Sequence, residues 1–135
     1  MSLYMLDTNT VSFGLRGHPD IDVQLQSLAP SDWCISAVTC AELLYGVERR
    51  PDAVKLKRLV DGFLRIARVA PWDQPAAAHH ARVRHQLKAE GAPIGDFDEM
   101  IAGHALSLGA VLVTDNVRHF NRVQDLALEN WLRRP

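Results

Sequence analysis

Two short apolar runs that each end in an acid constrain the fold of this chain more than any other feature. Leu3-Tyr4-Met5-Leu6 leads into Asp7, Thr8 and Asn9, and Ala110-Val111-Leu112-Val113-Thr114 leads into Asp115 and Asn116. Apolar runs of this length suit strands buried on both faces, as in a parallel sheet held between helices. In such sheets ligands bind beyond the carboxyl ends of the strands, where neighbouring connections leave to opposite faces. Two acids delivered to two strand ends therefore predict one site.

The segments between these runs alternate in character. Thr8 to Leu15 predicts a short helix limited by Gly14 and Gly17, and Pro19 restarts a helical pattern through Ile21, Leu25 and Leu28 that ends near Pro30. A strand is expected over Trp33-Cys34-Ile35-Ser36, then a helix from Val38 to Val47 that stops at Arg49-Arg50-Pro51. From Asp52 to Ala67 the residues Leu56, Leu59, Val60, Phe63 and Leu64 recur at helical spacing opposite Lys55, Lys57, Arg58, Asp61 and Arg65, which predicts a strongly amphipathic helix. A weak strand over 68–72, a long helix from Asp73 to Glu90, a loop over Gly91 to Gly95 and a helix from Asp96 or Phe97 to Leu108 follow. After the 110–114 strand come a polar loop through Gln124 and a short last strand near Leu126 to Glu129. Strands alternating with helices predict an α/β layered fold, a central, mainly parallel sheet flanked by helices, in a single domain over 1–135.

Composition excludes several classes. The chain has 135 residues, ordinary globular apolar content and no run long enough to span a bilayer, so a soluble cytoplasmic protein is expected. Cys34 and Cys40 form neither a CxxC pair nor a disulfide framework and read as reduced thiols. His79, His80 and His85 lack the i, i+4 pairing of a helical zinc site. The net charge of -1 predicts no nucleic-acid partner by itself. Setting aside Asp7, Glu42, Asp98 and Asp115 as one pocket leaves twelve acids against fifteen Lys and Arg, of which twelve are Arg, the side chain suited to bidentate phosphate contact. Arg82, His85 and Lys88 fall on neighbouring positions of their helix, an edge suited either to phosphate contact or simply to solvation.

Those four acids occupy comparable positions. Asp7 and Asp115 end strands, Glu42 lies one to two turns into the helix after the second strand, and Asp98 opens the helix before the 110–114 strand. Singly, each also reads as a cap, a turn former or a surface charge. Grouped together, like charges raise one another's proton affinity. A divalent cation resolves that conflict, and oxygen ligation from Asp, Glu and Asn suits Mg²⁺ or Mn²⁺. Such an ion supports phosphodiester hydrolysis without a covalent protein intermediate. The chain shows no GxSxG, no Walker loop and no Gly-rich dinucleotide motif that would point elsewhere.

With these residues in view, the chain resembles the PIN-domain ribonucleases, in particular the VapC toxins of VapBC-type toxin–antitoxin pairs. The matching pieces are LDTN at 6–9, ISAVTCAELLYGV at 35–47, GDFDEMIAGHAL at 95–106, LVTDN at 112–116, HF at 119–120 and ENW at 129–131. The resemblance implies the PIN-like three-layer sandwich. It implies Asp7, Glu42 and Asp98 as metal-binding catalytic acids, with Thr8, Asn9 and Thr114 as supporting polar residues. Many PIN domains read Thr-x-Asp where this chain has Asn116 at the aspartate position and Asp115 one residue earlier. Either Asn116 supplies a carbonyl or Asp115 substitutes from a shifted geometry. The resemblance further implies a Mg²⁺- or Mn²⁺-dependent endoribonuclease toxin that cleaves RNA, typically tRNA, and inhibits translation. A cognate VapB-type antitoxin is expected to neutralise it by seating on the helices at 38–47 and 52–67. A homodimer and a toxin–antitoxin hetero-oligomer are expected as well.

Two rivals stand beside this reading. LDTNTV superficially resembles the DxDxT signature of haloacid dehalogenase-like phosphatases, but Asn9 stands where the second acid belongs. A catalytically silent RNA- or antitoxin-binding PIN module would share the fold, and the presence of Asp7, Glu42 and Asp98 weighs against it.

Overall fold

The computed structural model describes residues 2–132, so Met1 and residues 133–135 of the expected domain lie outside the described part. Five strands form one parallel sheet in the order β3-β2-β1-β4-β5: β1 Tyr4–Leu6, β2 Trp33–Ser36, β3 Val69–Ala70, β4 Val111–Val113 and β5 Leu128–Glu129. The central strand β1 pairs with β2 through Met5 and Cys34 and with β4 through Met5 and Leu112. Chain connections run from β1 outward to β2 and β3, then return past β1 to β4, so the topological switch point falls between β1 and β4.

Successive strand residues point to opposite faces, and the two cores divide accordingly. Met5, Cys34 and Leu112 pack on one side with Val83, Leu87, Ile101, Ala102, Ala105 and Phe120. Leu6, Trp33, Ile35 and Val113 pack on the other with Val11, Ile21, Leu43, Val60 and Trp131. The first group comes from helices α5 (Gln74–Ala89), α6 (Asp96–Leu108) and α7 (Val117–Phe120). The second comes from α1 (Thr8–Leu15), α2 (Pro19–Gln26), α3 (Ala37–Glu48) and α4 (Val54–Ile66), together with Trp131. Burial on both faces explains why the strands read as unbroken apolar runs, and it produces the three layers expected.

α3 is the exception to this division. Its Val38 packs into the first core and its Leu43 into the second, so the helix crosses over the carboxyl edge of the sheet and carries Glu42 there. α5 and α6 pack closely because Gly103 lets them. A Cβ there would stand 2.6 Å from the Cα and N of His80. α6 ends at Gly109, whose left-handed φ of 61° lets Ala110 N–H reach Ala105 O at 2.9 Å and turns the chain into β4.

Strand ends are trimmed relative to the sequence reading, with β3 reduced to Val69–Ala70 and β5 to Leu128–Glu129. One expectation is corrected: the polar loop through Gln124 contains the short helix α7. Only Val117 and Phe120 carry its apolar spacing, too little for a periodic signal. Among the described residues no helix is long and apolar enough to cross a membrane. Cys34 and Cys40 are free thiols, and burial pushes Cys34 up to about 11.

Candidate active site

Asp7 sits one residue beyond β1, and its N–H still continues the ladder by donating to Val113 O at 3.0 Å. Its side chain caps α1, with Oδ1 accepting from Thr10 N–H at 2.8 Å. The cap role expected of Asp7 is therefore met, at the same residue that the sequence offers as a site acid. The carboxylate is 3% exposed. Burial raises its proton affinity, hydrogen bonds from Thr114 and Thr10 lower it, and the charge of Asp115 raises it further; the net direction is upward. Thr114 is fully buried at the end of β4 and also accepts the Asn116 N–H at 2.9 Å, so it couples β4, the turn after it and Asp7.

Glu42 reaches the same edge from α3. Thr8 Oγ1 donates to Glu42 Oε1 at 2.6 Å and lies 3.1 Å from Thr39 Oγ1. Thr8 has one hydroxyl proton, which goes to the carboxylate, so Thr39 supplies the proton of the second contact. Asp98 lies in the first turn of α6, which starts at the carboxyl edge because a helix returning to a parallel strand runs antiparallel to it. Its carboxyl is pushed up to about 6, first by burial and then by the charges of Asp7 and Glu42. Asp98 thus feels the charges of two acids carried by two other elements, which puts the three at the same edge of the sheet.

Asp115 and Asn116 separate in role. The Asp115 charge is felt by Asp7, and its Oδ1 accepts from Asn130 Nδ2 at 3.0 Å. Asn116 turns its amide to His119 Nδ1 at 3.0 Å. Asn9 is exposed on the first turn of α1. Arg82, His85 and Lys88 are all exposed on α5.

Among the described residues no ion pair engages Asp7, Glu42 or Asp98; the three present join Lys57 to Asp61 and Arg84 to Asp96 and Glu99. The cluster therefore carries negative charge that no salt bridge among the described residues neutralises, and its donors are all oxygen. Both features fit a hard divalent cation. Among the same residues no three His, Cys, Asp or Glu side chains close round a single point. That is compatible with Mg²⁺, which keeps several waters and takes only one or two carboxylates directly.

Several contributors were invisible in the sequence. Thr10 is buried and donates to Val113 O at 3.1 Å, and Thr39 backs Thr8. His104, 1% exposed on α6, meets Ser36 Oγ at 2.7 Å, while Ser36 caps α3 by accepting from Val38 N–H at 3.0 Å. Burial holds the imidazole below its ordinary range, against the opposing influence of Asp73 and the Pro71 carbonyl. Glu99 is buried beside Asp98 but is tied to Arg84 at 2.8 Å, which sets it apart from the cluster. Hydrogen-bonding residue types at 10, 36 and 39 were the only available signal, and their partners lie too far along the chain for spacing to reveal them.

Residues 4–126 match the family described as PIN domain. The chain is 39% identical over 131 residues to the tRNA(fMet)-specific endonuclease VapC of Salmonella typhimurium, covering 97% of this chain and 99% of that one. The crystal structure of VapBC2 from Rickettsia felis, bound to a DNA fragment from their promoter, superposes with a TM-score of 0.89 at 34% identity, covering 96% and 98% of the two chains. DNA-bound VapBC from Salmonella typhimurium superposes at 0.86 with 39% identity, covering 97% and 99%. With the sheet order, the converging acids and near full-length similarity in agreement, this chain belongs to the PIN-domain family, among the VapC ribonucleases.

Proposed function

We propose that the protein is a divalent-metal-dependent endoribonuclease toxin that cuts structured RNA such as tRNA, thereby inhibits translation, and is neutralised by a cognate VapB-type antitoxin. The observation that carries this reading is that Asp98, at the carboxyl edge of the sheet, feels the charges of both Asp7 and Glu42. Similarity to a tRNA(fMet)-specific endonuclease supports the substrate class.

Asp7, Glu42 and Asp98 are the residues that would hold Mg²⁺ or Mn²⁺, with Asp115 or Asn116 at the margin. When bound, such an ion lowers the pKa of its water and offsets charge on the scissile phosphate. The rest is the work of the chain. Thr114 and Thr10 donate to the Asp7 carboxylate and offset part of the burial that raises its proton affinity. Thr8 and Thr39 fix Glu42 in one orientation. α6 brings Asp98 in from the opposite side, and its raised affinity lets it hold or release a proton near neutral pH. No side-chain nucleophile is needed for this chemistry.

The antitoxin surface follows from the second core. A groove between α1, α3 and α4 is lined by Leu15, Leu43, Leu56, Leu59 and Val60, is rimmed by Arg16, Arg49 and Arg50, and includes Glu42 itself. A helix laid in that groove reaches Glu42 directly, so a basic side chain on it can compete for the cation position. The VapBC complexes similar to this chain support such a partner. A homodimer belongs to the same proposal.

Purified protein incubated with a tRNA pool and Mg²⁺ is expected to yield discrete fragments. Chelator and the Asp7→Asn substitution should each lower the rate by roughly a thousandfold or more, the scale of losing central transition-state stabilisation. Cleavage that persists in both would assign the activity to a contaminant and leave the catalytically silent module as the better reading.

A further inference from the structure

A cavity of about 690 Å³ opens beside the acids, lined by Asn9, Phe13, Asp115, Asn116, Val117 and Arg118. It adjoins the site through covalent neighbours and hydrogen bonds. Asn9 is on the turn of α1 that Asp7 caps, and Asn116 N–H bonds the Thr114 hydroxyl that bonds Asp7. The cavity is within the range that holds one nucleotide-sized ligand.

Its chemistry is unlike that of the antitoxin groove. One aromatic ring, two amides, one carboxylate and one guanidinium surround it. Arg16, on the rim of the antitoxin groove, also stands 4.9 Å from the Phe13 ring centroid. Neither Arg16 nor Arg118 takes part in an ion pair among the described residues. Arg side chains without acid partners next to an acidic centre offer a phosphate backbone a place to dock, and a ring beside them offers a base a surface to stack on. The amides and the Asp115 carboxylate, steadied by Asn130 at 3.0 Å, match the donors and acceptors of a base edge. A helical peptide would find little apolar floor here.

We propose that this cavity seats one unstacked nucleotide of the RNA next to the scissile phosphate, with its base against Phe13, its edge facing Asn9 and Asn116, and its phosphate at Arg118. The subsite rests on the ribonuclease reading and adds base preference to it. Single-stranded, splayed nucleotides are where sequence is read in RNA.

The test uses an RNA oligonucleotide library randomised around a fixed cut site, with cleavage ends sequenced for the native protein, Phe13→Leu and Arg118→Ala. Phe13→Leu retains bulk in the second core, and Arg118 is exposed, so both variants are expected to fold. Arg118→Ala should raise KM about tenfold with kcat within about twofold, and Phe13→Leu should flatten the preference at one position beside the cut. Unchanged KM and preference in both variants would overturn the subsite while leaving the nuclease reading intact. Loss of antitoxin binding with cleavage unchanged would overturn it too and give the cavity to the protein partner. If the native chain cuts nothing, RNA binding by Asp98→Asn is measured by anisotropy. Weakening by both substitutions then sustains the subsite although the nuclease reading has failed, and equal binding by all three rejects it.

Discussion

Asp98 carries the tension of this molecule at the scale of a residue. Its carboxyl is held near 6, well above the ordinary carboxylate value of 3.8, by burial and by Asp7 and Glu42. A group whose folded value is raised favours folding fully below the unfolded value, and that contribution is lost as pH climbs through the folded value. Above pH 6 the ionised Asp98 therefore opposes the native state. In metal-free protein, Asp98→Asn should raise stability at pH 7 by about 1 kcal/mol, a discounted figure because the side chain retains some solvent contact. Thermal denaturation should show Tm up by roughly 3–5 °C. The gap between variant and native chain should close as pH falls from above 6 toward 4; a gap independent of pH would place the effect elsewhere. The same residue scale shows what sequence can carry. LDTN and GDFDEM announced Asp7 and Asp98 by following or opening an element. The Thr8 to Glu42, Thr10 to Val113 and Ser36 to His104 contacts span 34, 103 and 68 residues and follow only from the fold.

At the scale of elements, the site depends on how α3 and α6 approach the sheet edge from different layers. α6 is held against α5 by the absence of a side chain at Gly103, 2.6 Å in hypothetical Cβ distance from the backbone of His80. Backbone cannot yield as a flexible side chain does, so Gly103→Ala must push the helices apart. A loss of about 3 kcal/mol is expected, at the upper end of ordinary overpacking, read from the urea midpoint at unchanged slope. A loss under about 0.5 kcal/mol would show that the helix pair adapts freely. Long elements with a clear period, α4 and α5, were legible in the sequence almost to their ends. α7 was not, because four residues give too few repeats. Gly103 read as one more residue of a helix, since a close approach has no signature in a single sequence.

For the whole molecule, a sheet buried on both faces leaves its carboxyl edge as the place where the acids, the nucleotide-sized cavity and the α1–α3–α4 groove meet. Parallel order and the switch point were legible from two strand-plus-acid runs, whereas the crossing of α3 between the cores was not, because nothing local marks which face Val38 and Leu43 join. The groove offers a prediction at this scale. Leu59, on α4, lines it and is 38% exposed. Leu59→Arg should abolish co-elution with the antitoxin while leaving RNA cleavage within about twofold, since a buried charge without a partner costs several kcal/mol at an interface; retained co-elution would move the antitoxin to another face. The central claim, that three acids from three elements work as one centre, is tested most directly by the single-turnover cleavage rates of Asp7→Asn, Glu42→Gln, Asp98→Asn and the triple variant. Residues that act as a unit are non-additive, so each single change should cost roughly a thousandfold or more and the triple change little beyond that. Losses that multiply across the three sites, or one single variant that cleaves at the native rate, would contradict it.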